Sequence, residues 1–175
     1  ASNTSSISIT ELAAAMEKAK RPIFYTGGGV INSGPAASQL LRELVAATGF
    51  PITSTLMGLG CYPASGDNWL GMLGMHGLYE ANMAMHDCDL MINIGARFDD
   101  RIIGQPDKFG AGAKIIHIDI DPAEMGKMIV PDIQIIGDAK AALTELNKRV
   151  SRLETDDWLK HLDTYKKKYP LGYKK

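Results

Sequence analysis

The strongest constraint on this chain is a series of short apolar runs that do not alternate with polar residues. They are Pro22-Ile23-Phe24-Tyr25-Thr26, Phe50-Pro51-Ile52-Thr53-Ser54-Thr55, Asp89-Leu90-Met91-Ile92-Asn93-Ile94-Gly95, Lys114-Ile115-Ile116-His117-Ile118-Asp119 and Ile133-Gln134-Ile135-Ile136-Gly137, with Trp69-Leu70-Gly71-Met72-Leu73 as a shorter sixth. Such runs form strands covered on both faces. Helical spacing separates them: Ser8-Ile9-Thr10-Glu11 has the form of a capping box ahead of Leu12, Ala13, Ala15, Met16 and Ala19. Ala37, Leu40, Leu41, Leu44 and Val45 recur with a 3.6-residue period until Thr48-Gly49, and Leu78 to His86 reads as a short helix. Strands alternating with helices predict an α/β fold, a doubly wound six-stranded parallel sheet of Rossmann-like type.

At 175 residues the chain is long enough to bury a core without disulfides or metal. A net charge of -1 argues against a nucleic-acid surface or an anionic-membrane surface, so small molecules are the expected ligands. Cys61 and Cys88 form no CxxC pair, and no apolar run is long enough to span a bilayer; both point to a cytoplasmic protein, with a bacterial source assumed. The absence of Met at Ala1 fits initiator removal and an excised piece equally. Charge divides the chain unevenly, because from Lys140 onward ten Lys and Arg face five Asp and Glu. The expected organisation is a disordered segment over 1–6, an α/β domain over 7–153, and a helical, basic connecting segment over 154–175.

In parallel α/β sheets ligands sit beyond the carboxyl ends of the strands. There the sequence offers Gly27-Gly28-Gly29, Thr53 to Gly58, Gly95-Ala96-Arg97-Phe98-Asp99-Asp100-Arg101, Asp119-Ile120-Asp121 and Gly137-Asp138. Glycines admit phosphate oxygens to backbone amides, arginines neutralise them, and Asp119 or Asp138 accepts hydrogen bonds from sugar hydroxyls, a set suited to binding a nucleotide rather than breaking bonds. The standard dinucleotide fingerprint fails, since GxGxxG from Gly27 would need glycine at Asn32. Bland readings stand beside these: turn-forming glycines, and a surface ion-pair cluster of Arg97, Asp99, Asp100 and Arg101. His76 has no evident nucleophile and acid partner, which favours packing or cofactor lining over catalysis. Six of the nine methionines lie between Met57 and Met91, suiting an irregular core or a flat aromatic ligand. His86-Asp87-Cys88-Asp89 is too contiguous to enclose a metal, and His117, flanked by isoleucines in a strand, reads as a hydrogen-bonded core histidine.

Ser54-Thr55-Leu56-Met57-Gly58-Leu59-Gly60, Met72-Leu73-Gly74-Met75-His76-Gly77, Gly95 to Arg101 and His117-Ile118-Asp119-Ile120-Asp121 together resemble the acetohydroxyacid (acetolactate) synthase family, specifically its central domain, from about Ile7 to Tyr169. The resemblance implies a fragment of a thiamine-diphosphate transferase that joins pyruvate to a second 2-oxoacid in branched-chain amino acid biosynthesis. It implies FAD as the cofactor of this domain, with thiamine diphosphate and Mg²⁺ bound only in the full-length enzyme. The family's Gly-Asp-Gly and Asn-Asn motif is absent, since Gly66-Asp67 continues with Asn68 and Gly137-Asp138 with Ala139, so no metal ligand and no catalytic residue is expected here. By motif matching, Gly28, Thr55, Leu56, Leu73, Gly74, Met75, His76, Gly95, Ala96, Arg97, Phe98, Asp99, Asp119, Ile120, Asp138 and Ala139 would contact FAD. Met75, His76, Asp100 and Arg101 would line the substrate or inhibitor channel. Implied partners are the other two domains of the polypeptide, a homodimer or tetramer, and a regulatory small subunit. A stand-alone flavin-binding or nucleotide-binding protein of the same fold is the alternative, as is a relative that has lost FAD.

Overall fold

A computed structural model describes residues 6–99, 109–110 and 112–170. Helix α1 (Ser6–Lys18) leads into β1 (Pro22–Thr26), the short α2 (Gly28–Asn32), α3 (Pro35–Thr48), β2 (Ile52–Ser54), β3 (Trp69–Met72), α4 (Tyr79–Asp87), β4 (Leu90–Ile94), β5 (Lys114–Asp119), β6 (Ile133–Ile136), α5 (Ala139–Asn147) and α6 (Asp156–Lys168). The six strands form one sheet in the order β3-β2-β1-β4-β5-β6, and every pairing is parallel. The fold class read from the sequence is therefore the one observed. Growth of the sheet changes direction between β1 and β4, and in parallel α/β sheets the ligand crevice lies at such a topological switch point, beyond the strand ends.

The two faces are covered differently. Phe24, Ile52, Ile92, Ile94, Ile116, Ile118, Ile133 and Ile135 point to one face and pack with Leu12 and Met16 of α1, Leu41 and Leu44 of α3, and Leu143 and Leu146 of α5. Ile23, Tyr25, Met91 and Ile115 point to the other, under Ala81, Ala84 and Met85 of α4 and Trp158 and Leu162 of α6. The Trp158 indole N–H donates to Pro22 O at 2.8 Å, so α6 is tied to the first residue of β1.

Local sequence explains most element ends. Pro35 fixes φ at the start of α3, and Gly49 ends it in the left-handed conformation at φ 74, its N–H closing on Val45 O at 2.8 Å. Two expectations shift. Helix α1 starts at Ser6, so Ser8 lies inside the first turn instead of capping it. The glycine run, expected as loop, begins α2 at Gly28. Residues 1–5 of the segment expected to be disordered lie outside the described residues.

Candidate functional site

The crevice is built by backbones that meet without side chains between them. Gly27 N–H donates to Ile94 O at 3.1 Å and Gly29 N–H to Gly95 O at 2.9 Å, which stitches the turn after β1 to the turn after β4. A Cβ on Gly27 would lie 2.5 Å from Ala96 Cα, and one on Gly29 2.7 Å from Gly95 Cα, so neither position admits alanine without moving backbone. Gly95 itself sits at φ +66. Gly28 faces the turn after β2, where a Cβ would come 3.2 Å from Met57 Cβ and narrow the gap between the two turns. The outer glycine amides are thus spent inside the protein, whereas the Gly28 N–H has no such backbone partner among the described residues.

Around this centre the strand ends supply distinct chemistry. Arg97 is exposed and makes no ion pair with any described residue. Asp138, at the start of α5, accepts a hydrogen bond from the Ser33 hydroxyl, and Ser33 Oγ also lies 2.8 Å from Gly29 O, so Asp138 is tied to the glycine turn. Ala139 beside it is buried. Asp119, at the end of β5, accepts from the Asp121 N–H at 3.0 Å and sits 3.3 Å from His117 Nε2. Burial works to raise its pKa, but these hydrogen bonds and the imidazole outweigh it and hold the carboxyl below its ordinary value. The Asp119 carbonyl accepts from Gly137 N–H at 2.9 Å, joining the ends of β5 and β6.

Large apolar side chains are left in solvent on the same edge: Leu56 is 68% exposed, Met57 72%, Met75 76% and Ile120 68%. Thr55 precedes a single helical turn over Leu56–Gly58. Leu73 is buried, its N–H reaching Ser54 O at 3.3 Å, and Gly74 turns at φ +99. The Asn82 side chain holds that turn from both sides, accepting from Gly74 N–H at 2.8 Å and donating to Gly74 O at 3.0 Å, which presents Met75 and His76 outward. Phe98 is buried and Asp99 exposed. Asp100 and Arg101, expected in the channel, lie outside the described residues.

The structure therefore joins Gly28, Leu56 to Gly58, Gly95 to Arg97 and Asp138 in one continuous rim. Four contributors were not singled out from sequence: Tyr25, Ser33, Asn82 and Asn93. Asn93 carried a usable signal, because a lone amide inside an apolar strand must find partners when buried. The His86 to Asp89 run is occupied structurally: Asp87 accepts from the Tyr165 hydroxyl, and Asp89 accepts from Lys20 N–H and Arg21 N–H, both at 2.8 Å. Burial pushes the Cys88 thiol up to about 12. His117 is fully buried as expected, yet only Nε2 is engaged; Nδ1 has no partner among the described residues. No described helix is long and apolar enough to cross a membrane.

Comparison with known proteins gives this geometry a context. The family model for the central domain of thiamine pyrophosphate enzymes matches residues 9–146. The acetolactate synthase of Mycobacterium leprae is 45% identical over 161 residues, 89% of this chain and 25% of that protein. The acetolactate synthase large subunit of Cyanidium caldarium is 44% identical over 162 residues, 89% of this chain and 27% of its own. The chloroplastic acetolactate synthase of Arabidopsis thaliana is 44% identical over 165 residues, 91% of this chain and 24% of its own. The chain spans about a quarter of the length of these relatives.

Proposed function

Because the chain belongs to the family of thiamine pyrophosphate enzyme central domains, we propose that it is the FAD-binding central domain of an acetolactate synthase. The observation that carries this reading is the exposed Arg97 guanidinium, without an ion pair among the described residues, beside the glycine turns at the sheet's switch point. The residues present fit the group. Arg97, with no ion pair to a described residue, is a cation for a diphosphate, Asp119 and Asp138 are acceptors for ribose or ribityl hydroxyls, and Gly28, lacking a side chain, lets a phosphate approach the backbone. Leu56, Met57, Met75 and Ile120 offer the exposed apolar surface that a flat ring covers.

In this reading FAD supplies a tricyclic ring and a diphosphate without a net redox step in the condensation of two 2-oxoacids. This chain's own residues bind and orient it. Arg97 meets the diphosphate, Asp119 and Asp138 hold the sugar-like hydroxyls, and Leu73 and Gly74 set the turn that carries Met75 and His76. Asp100 and Arg101 belong to the substrate or inhibitor channel in this proposal. Covalent chemistry belongs to thiamine diphosphate and Mg²⁺ bound elsewhere in a longer, oligomeric enzyme, with a regulatory subunit as a further proposed partner.

Calorimetric titration with FAD tests the reading, with absorbance of the purified protein and mass analysis of any released ligand alongside. Saturable FAD binding that ADP competes away is the expected result, together with no acetolactate from pyruvate by these 175 residues alone. Failure of ADP to compete would remove Asp119 and Asp138 from the nucleotide half.

A further inference from the structure

One row of side chains crosses the sheet just below the crevice: Thr53, Tyr25, Asn93, His117 and Gln134 stand in register on β2, β1, β4, β5 and β6. Everything next to Asn93 on its own strand is hydrocarbon, and Asn93 is fully buried. Burying a primary amide is costly unless both its ends are bonded. Asn93 meets that demand with a single residue, donating from Nδ2 to Ala96 O at 2.8 Å and accepting on Oδ1 from Ala96 N–H at 3.0 Å. The next carbonyl, of Arg97, accepts from the Tyr25 hydroxyl at 3.2 Å. Phe98 then packs between Tyr25 and His117, with ring centroids 5.7 and 5.3 Å away.

The loop is thus held at three consecutive residues, through the backbone of Ala96 and Arg97 and the ring of Phe98, while the side chain of the middle one, Arg97, is exposed and unpaired among the described residues. No carboxylate of a described residue fixes the guanidinium, so among these residues its position is inherited from the backbone. We propose that Asn93, assisted by Tyr25, is a positioning residue for FAD binding that acts through Arg97. This rests on the flavin reading above. The row has no ligand contact of its own in this account; its task is to fix the turn that aims the cation at the diphosphate.

Coupling between the two residues is the test, because a merely structural role would not produce it. FAD affinity is measured calorimetrically for the wild-type chain, Asn93→Leu, Arg97→Ala and the double variant, each with a thermal melt. Asn93→Leu keeps the branched shape in a bulkier side chain and removes both bonds, and it should weaken FAD binding about 10-fold, a loss of about 1.4 kcal/mol. In that background Arg97→Ala should cost much less than it does in the wild type. Tyr25→Phe, which deletes one hydroxyl and leaves the ring on Phe98, carries the same cycle should Asn93→Leu not fold; its expected loss is about 3-fold, again less than additive with Arg97→Ala. Additive losses in folded protein, with the wild type binding FAD, would overturn the positioning role and leave the flavin reading standing. Absence of FAD binding by the wild type would remove both.

Discussion

The two faces of the sheet carry the same strands yet do different work. On the face under α1, α3 and α5, strands β1, β4, β5 and β6 contribute Phe24, Ile92, Ile94, Ile116, Ile118, Ile133 and Ile135. The opposite face is apolar only toward the strand starts, at Ile23, Met91 and Ile115, and turns polar toward the strand ends, at Tyr25, Asn93 and His117. The first face stabilises the fold by removing hydrocarbon from water. The second gives up part of that burial to hold the turns that form the crevice, so fold stability and site geometry are separable by substitution.

Phe24→Ala probes the separation with the largest expected effect. Phe24 is fully buried against Phe50, with ring centroids 5.4 Å apart. Truncating such a ring costs about 3–5 kcal/mol, which lowers the melting temperature of a domain this size by roughly 6–20 °C. FAD affinity of the protein that remains folded should not change. A matched loss of affinity would show that the two faces are not independent.

Asp119→Asn tests the polar face with a smaller effect and a definite pH signature. The Asp119 carboxyl is held below its ordinary value, so its contribution to stability is complete above the unfolded pKa and disappears as pH falls through the folded one. Melting temperatures of the two proteins should differ by a few degrees at pH 7 and converge as pH falls below about 3.9. A difference that stays constant down to pH 2 would mean the carboxylate charge contributes nothing.

The apolar face was legible in the sequence because uninterrupted strands such as Ile115 to Ile118 announce burial on both sides, and that fixes a parallel α/β sheet. The polar face was not. In a strand covered on both sides every residue is buried, so the lone amide of Asn93 signals a need for partners without saying which, and Tyr25 looks like an ordinary member of an apolar run until the turn they hold is visible. Gly28 and Arg97 were expected beyond the strand ends and lie after β1 and β4, but the reason Gly27 and Gly29 are glycine, contact with Ala96 and Gly95, depends on which strands are neighbours. Asp138 was assigned to a ligand, and its bond to Ser33 links residues far apart in the chain. The short α2 was missed because three glycines are poor helix formers, and the fold overrides that preference.

The central claim is that the exposed Arg97 meets the diphosphate of FAD, and Arg97→Ala tests it most directly. A charge-assisted hydrogen-bonded pair contributes about 1.5–3 kcal/mol, so calorimetric titration should give FAD affinity reduced roughly 10- to 150-fold. The thermal melt should barely move, since the side chain makes no ion pair with a described residue. Arg97→Lys should recover part of the affinity, keeping the charge without the planar fork. Unchanged FAD affinity in a well-folded Arg97→Ala protein would contradict the account.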